Sequence, residues 1–305
     1  MKYREIKNTD LKLSQIALGT WVFGSDMWGG SAEKPCIDAV KTALDCGINI
    51  IDTAPIYGKG RSETLVGKAI KGMRDKVLIA TKCGLLTEGK QVFHNLSPAS
   101  IRKELDKSLK NLGVEYIDLY QCHWPDPETP LEDTLSELIK MKESGKIRYF
   151  GVSNFDYSLL YKAQRMTDIT SCQGQYSILE RGLENDVLPY TFDNDIGVLT
   201  YGSLAGGILS GKYTEPQKLA KSDARTYFYK YYQGEIFKRV TDILTSLKDI
   251  NKPYNQIAIN WARQRRGVTS VIVGCRNPEQ ILNNIKCLEW ELTLDQLELI
   301  NKTRL

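Results

Sequence analysis

Asn49-Ile50-Ile51-Asp52-Thr53-Ala54-Pro55-Ile56-Tyr57-Gly58 is the stretch on which the fold turns. The apolar run Ile48–Ile51 ends on an acid, and a turn-rich loop carrying a tyrosine follows. An apolar run without polar alternation suits a parallel strand covered on both faces. Beyond the loop, Ser62–Ile70 places Leu65, Val66 and Ala69 at helical spacing. The unit is strand, polar strand end, loop, helix.

The same unit recurs on both sides. Gln15–Leu18, Val77–Ala80, Tyr116–Gln121, Ile147–Val152, Ser171–Gly174, Gly197–Thr200 and Val271–Val273 read as further buried strands, which makes eight. Helical periods lie between them, at Glu33–Cys46, Pro98–Leu112, Pro130–Glu143, Asp156–Arg165, Ile236–Ile250 and Asn255–Arg265. Ser97-Pro98 reads as an N-cap with proline at the first helical position, and Gly145 as a stop. Pro278–Cys287 and Leu294–Lys302 close the chain as helices. Eight such units in 305 residues predict an α/β fold, a (β/α)8 TIM barrel, as a single domain over 1–305. An open dinucleotide-binding sheet would need its glycine fingerprint after the first strand. The nearest match, Gly58 to Glu63, follows the second and ends on glutamate.

Composition narrows the function. Lys plus Arg is 41 against 37 for Asp plus Glu, a net charge of +4, too even for a nucleic-acid binder. No apolar run approaches the roughly 20 residues of a membrane span. The start, Met1 to Asp10, has no hydrophobic segment after its charges, so no secretory signal is expected. Seven cysteines without a CxxC pair point to reduced thiols and a cytoplasmic location. Two histidines, His94 and His123, are too few for a multi-histidine metal site, so no metal is expected.

In a barrel of this kind chemistry belongs at the carboxyl ends of the strands. Asp52 and Tyr57 follow the second strand, Lys82 the third and His123 the fourth. Each alone has a plain structural explanation: a cap, a packed ring, a solvated charge, a core histidine. Together they form a proton-donating group. An ammonium beside a tyrosine favours the phenolate and lowers the hydroxyl's pKa. A carboxylate on that ammonium offsets the cost of burying it. Such an acid aimed at a carbonyl oxygen needs an external hydride, hence a nicotinamide cofactor.

The sequence resembles the aldo-keto reductases, and most closely their bacterial, general-stress-protein-like branch with short loops. The resemblance rests on Asp52-Thr53-Ala54-Pro55-Ile56-Tyr57-Gly58, Ala80-Thr81-Lys82, Tyr116 to Asp126, and Gly145-Lys146-Ile147-Arg148 through Ser153-Asn154-Phe155, and it runs over nearly the whole chain. It implies a catalytic tetrad of Asp52, Tyr57, Lys82 and His123, with Tyr57 as proton donor, its pKa lowered by Lys82. It implies that Ser153, Asn154 and Gln175 hold the nicotinamide carboxamide, that Tyr201 stacks on the ring, and that Thr20, Trp21 and Asp52 approach its ribose. The segment Tyr201 to Lys212, with Gly202, Ser203, Leu204, Gly206 and Lys212, would cover the pyrophosphate. It nearly matches a nucleotide-triphosphate loop, but Tyr213 stands where Mg²⁺ would need Ser or Thr.

Gly274, Arg276, Gln280 and Asn284 would face the adenosine 2′-phosphate and adenine, which favours NADPH over NADH. Many members carry Lys in place of Gly274 and Arg in place of Gln280, so this grip is thin. Trp21 and Trp124 would line the pocket for a small-molecule carbonyl substrate, with no nucleic-acid or membrane partner. The chain ends at Leu305, so a long terminal loop over the substrate is not expected. Two other readings are a cofactor-sensing binding protein of the channel β-subunit type, which an amino-terminal extension would favour, and a Schiff-base aldolase on Lys82. The stretch Tyr227 to Tyr232 fits a lid or an oligomer contact equally well. Oligomeric state is not readable from the sequence.

Overall fold

The computed structural model describes residues 1–24, 26–89 and 91–305, with Asp26 described in its backbone alone. Eight parallel strands close into a barrel: β1 (Ile16–Gly19), β2 (Ile50–Asp52), β3 (Leu78–Cys83), β4 (Ile117–Cys122), β5 (Ile147–Ser153), β6 (Ser171–Gln175), β7 (Gly197–Tyr201) and β8 (Val268–Gly274). All the apolar runs read as strands are barrel strands, and each is followed by at least one helix. The (β/α)8 barrel is therefore the fold of this chain.

The alternation of side chains along the strands divides the core in two. Ala17, Ile50, Ala80, Leu119, Leu199 and Ile272 point into the lumen and pack with Ile6, Leu11 and Leu13. The last three come from the hairpin Tyr3–Glu5 with Lys12–Ser14, which precedes β1 and plugs the amino-terminal end of the barrel. Gly197, first in β7, leaves the room this plug needs: a Cβ there would lie 2.5 Å from the Ile6 side chain. The outward-facing residues meet the helices in a second, larger core. With one mouth plugged, the carboxyl mouth is left for a site.

Several local readings need adjustment. The hairpin at the amino terminus and a second one, Leu85–Glu88 with Gln91–His94, fall outside the predicted strands. Both are short, and the second is exposed, so neither carries an apolar run. Ser97 precedes the helix Pro98–Leu112, but its hydroxyl donates to the Asn95 side chain at 2.7 Å and makes no cap bond. The helix expected over Ile236–Ile250 is Gly234–Ser246 followed by a 3₁₀ turn at Lys248–Ile250.

The helix Pro98–Leu112 presses an acid against the exit of β3. Glu104 Oε1 accepts the Gly84 N–H at 2.9 Å, while Oε2 is buried without a partner. Burial pushes this carboxyl up to about 7, against the pull of the Gly84 bond. The raised value means that the folded state holds the proton more tightly than the unfolded chain. The stabilisation this provides is complete at low pH and is lost as pH rises through about 7. Thermal midpoints at pH 5.5 and pH 8 should therefore fall more for the native protein than for Glu104→Gln, which cannot ionise. Equal falls would mean that Glu104 does not carry the proton.

Candidate active site

The site is built around Lys82, which is 0% exposed. Its Nζ donates to Asp52 Oδ1 at 2.7 Å and to the Thr53 carbonyl at 3.0 Å, and makes a longer contact of 3.5 Å to the Tyr57 hydroxyl. All three ammonium protons are directed at named acceptors. Parallel pairing brings the donors together: Asp52 aligns with Ala80 across β2 and β3, two residues before Lys82. His123 directly follows β4, and its N–H donates to the Cys83 carbonyl at 2.9 Å. Its ring meets that of Tyr57 edge-on with centroids 5.7 Å apart. The tetrad read from the strand ends thus meets at one mouth of the barrel.

Tyr57 is fixed by backbone contact. A Cβ at Gly58 would lie 1.5 Å from the Gly24 carbonyl oxygen, and one at Gly24 would lie 2.2 Å from the Tyr57 carbonyl carbon. Gly58 also has φ 61°, where a side chain is strained. The short helix Trp21–Gly24 is thereby clamped to the Tyr57 turn. Trp21 stacks on Tyr57 with centroids 6.0 Å apart. Thr20 is buried, and its N–H and hydroxyl both donate to the Asp52 carbonyl, at 3.0 and 2.8 Å.

The electrostatics correct one expectation. Tyr57 is not lowered by Lys82; burial raises its hydroxyl well above the usual tyrosine range, and the Asp52 charge adds to the rise. The physical reason is burial, which disfavours the phenolate, and the Asp52 charge beside the hydroxyl acts in the same direction. Burial lowers Lys82, and Asp52 opposes that shift. Burial and then the Lys82 charge hold His123 well below the usual histidine value. At neutral pH the mouth therefore presents a protonated tyrosine and a neutral imidazole beside the Lys82–Asp52 pair.

A residue the sequence reading passed over completes the group. Gln173, on β6, donates from Nε2 to Asp52 Oδ2 at 2.8 Å. Asp52 is held at both oxygens, by Lys82 and by Gln173. Period-two alternation puts Ser171, Gln173 and Gln175 on one face of β6, and that was the available signal. Gln175 lies one step further out, with its Cγ 3.3 Å from where a Gly202 Cβ would sit.

The proposed cofactor residues differ in how far they are already engaged. Ser153 is buried, and its Oγ accepts from Asn154 Nδ2 at 3.1 Å. Asn154 has φ 60°, and its side chain also donates to the His123 carbonyl at 2.9 Å and accepts the Tyr201 hydroxyl at 2.8 Å. It braces the mouth, so a carboxamide would have to share it. After β7, Ala205, Gly206 and Gly207 take left-handed φ values of 47°, 71° and 101° in succession. The N–H groups of Ala205 and Gly207 are used within the turn, donating to the Gly202 and Leu204 carbonyls at 2.7 and 2.8 Å. Ser203 Oγ is buried there without a partner.

Tyr229 packs on Gly206, where a Cβ would come within 2.7 Å of its ring, and the Tyr232 hydroxyl donates to the Gly206 carbonyl at 2.7 Å. Phe228 meets Trp21 edge-on at 5.2 Å. The tyrosine-rich stretch therefore lies over this loop and reaches the mouth. Leu204 is half-buried beside it, and Lys212 is exposed.

Beyond β8, Gly274 is exposed, and Arg276 is half-buried with no carboxylate at salt-bridge distance among the described residues. Gln280 Oε1 accepts the Arg276 N–H at 2.8 Å. Asn284 departs from expectation. It is turned inward, donating to Cys275 Sγ at 3.3 Å and accepting from Asn255 at 2.8 Å, because the helix Pro278–Ile285 buries that face. Among the described residues no group of three or more acids, histidines or cysteines is placed to hold a metal, and no helix is long and apolar enough to cross a membrane.

Comparison with known proteins agrees with this geometry. The model of the aldo/keto reductase family matches residues 15–304. The chain is 39% identical over 308 residues to aldo-keto reductase YhdN of Bacillus subtilis, covering 99% of this chain and 93% of that protein. It is 36% identical over 313 residues to the NADH-specific methylglyoxal reductase of Escherichia coli, covering 96% and 95%. Among solved structures, the glycerol dehydrogenase AKR11B4 of Gluconobacter oxydans superposes with a TM-score of 0.90 at 35% identity, covering 99% of this chain and 94% of that one.

The buried pair gives a direct prediction. Removing one partner leaves the other charge uncompensated, which costs about 3–5 kcal/mol. Asp52→Asn and Lys82→Met should each lose stability of that order in urea denaturation, and the double variant should lose clearly less than the sum. Additive losses would show that the two groups do not act as a pair.

Proposed function

The chain belongs to the aldo/keto reductase family, an oxidoreductase family that uses nicotinamide cofactors, and from its site we propose that it reduces a small aldehyde or ketone to the alcohol with Tyr57 as proton donor. The observation that carries this reading is the contact of the Lys82 ammonium with Asp52, Thr53 and Tyr57. Lys82 donates to the tyrosine oxygen, which leaves the tyrosine O–H to point at a substrate oxygen. The neutral His123 imidazole sits edge-on to that ring and would share the same oxygen as a second donor. As Tyr57 gives up its proton, the ammonium beside it stabilises the developing phenolate. The resting hydroxyl is held protonated by burial and by Asp52, so the donor is fully loaded at neutral pH.

The residues present fit a dinucleotide. The unpartnered Ser203 hydroxyl and Arg276, which has no carboxylate at salt-bridge distance among the described residues, are suited to its phosphates. Ser153, with Gln173 or Gln175, would hold the carboxamide, and Tyr201 would face the ring. When bound, the reduced nicotinamide supplies the hydride. Arg276 supports NADPH as the preferred form, although one relative is named as NADH-specific. A Schiff base on Lys82 is disfavoured, since the nitrogen is buried and all its protons are engaged. The relatives named for methylglyoxal and glycerol make short open-chain carbonyls the first substrates to try. We read the chain as one domain, and its seven free cysteines support a cytoplasmic setting.

The test has two parts. In a titration, NADPH should bind more tightly than NADH, and Arg276→Ala should erase the difference; an unchanged preference would remove Arg276 from that role. With a panel of aldehydes, Tyr57→Phe should lose turnover by about 10²–10⁴-fold while binding cofactor normally. Turnover retained in Tyr57→Phe would contradict the assignment of the acid. Cofactor bound without turnover of any carbonyl by the native protein would favour the cofactor-sensing alternative.

A further inference from the structure

Two buried polar residues stand in the first turn of the helix Arg61–Ile70, and neither belongs to the tetrad. Ser62 and Glu63 have no exposed surface. Their partners include three threonines, each next in sequence to a residue of the site. The Ser62 hydroxyl lies 2.8 Å from that of Thr20, beside Trp21, and 3.0 Å from that of Thr53, beside Asp52. Glu63 Oε1 accepts the hydroxyl of Thr81, beside Lys82, at 2.8 Å. Glu63 Oε2 accepts Asn111 Nδ2 at 2.9 Å, from the helix Pro98–Leu112. Gly60 leaves room for that amide, since a Cβ there would lie 2.6 Å from it.

Both oxygens of Glu63 accept hydrogen bonds, as an ionised carboxylate does. No Lys, Arg or His stands at salt-bridge distance from it among the described residues. A charge buried on two neutral donors is costly without a cation near by. The strand supplies that cation. Successive side chains of β3 point to opposite faces, so Thr81 turns outward to Glu63 while Lys82 turns into the barrel. The Lys82 ammonium thus touches one carboxylate and has a second behind its own strand. We infer that Glu63 is a positioning residue for the reaction: it is the second counter-charge of Lys82 and keeps the ammonium a cation beside the Tyr57 hydroxyl. This rests on the reductase reading above.

The electrostatics agree, since Glu63 acts on Lys82 in the same direction as Asp52, against burial. The other ionisable groups around the two are Asp52 on β2, Tyr57 on the loop after it and His123 after β4, with Glu104 and Tyr120 behind the sheet. None of these is a cation at neutral pH. Glu63 itself touches no reacting atom.

The experiment titrates Lys82 by NMR with ¹³Cε-labelled lysine, without substrate or cofactor, in the native protein, Glu63→Gln and Ser62→Ala. Glutamine fills the same space and can serve both Thr81 and Asn111, so the first variant removes a charge and keeps the contacts. The second breaks contacts of the same turn and removes no charge. In Glu63→Gln, Lys82 should lose its proton at a pH lower by about half a unit to one unit. The alkaline limb of kcat/KM for an aldehyde with NADPH should move down with it. Ser62→Ala should lower the thermal midpoint and leave the Lys82 titration where it is. Where Glu63→Gln is too unstable to titrate, Glu63→Leu with Asn111→Leu removes the charge and its amide partner together.

A Lys82 that titrates in Glu63→Gln as in the native protein, or that shifts as far in Ser62→Ala, would overturn the inference. Absence of turnover with every aldehyde in the native protein would instead remove the reductase reading. In that case the NMR titration still reports whether Glu63 sets the charge of Lys82.

Discussion

The pairing of Lys82 with Asp52 inside the barrel mouth is the interaction on which the site depends. A lysine with no exposed surface is costly as a cation. The cost is met by a carboxylate at 2.7 Å and a carbonyl at 3.0 Å. The carboxylate is itself held by Gln173 at its other oxygen, and Thr20 braces the Asp52 backbone. Four strands, β1, β2, β3 and β6, thus contribute to or adjoin one charge pair. That is a strong reason for the barrel to be closed and staggered as it is, because an open sheet would not bring β6 across to β2.

The pair also decides what the neighbouring groups are. An isolated ammonium beside Tyr57 would favour the phenolate. With the pair formed, burial and the Asp52 charge keep Tyr57 protonated, and burial first and then the Lys82 charge keep His123 neutral. The stabilisation of the phenolate is therefore held in reserve until the proton moves. The clamp between Gly24 and Gly58 keeps the tyrosine in reach of Lys82 without a flexible side chain in the contact.

Much of this was legible in the sequence because it depends on strand ends. The near-continuous apolar runs marked the eight strands, and the ionisable residues within two positions of three strand ends located Asp52, Lys82 and His123. What was not legible depends on which way a side chain turns. Ser171, Gln173 and Gln175 alternate identically, and their spacing does not say which one meets Asp52. Asn284 faces inward because of the rotation of its helix, which one-dimensional spacing leaves open. The sign of the shift at Tyr57 follows from burial, which linear spacing does not show.

The most direct measurement is a titration of the Lys82 side chain by NMR with ¹³Cε-labelled lysine, its resonance assigned by loss in Lys82→Met. Lys82 should remain an ammonium at pH 7 in the native protein and deprotonate at clearly lower pH in Asp52→Asn. A Lys82 that is neutral at pH 7, or that titrates identically in both proteins, would contradict it.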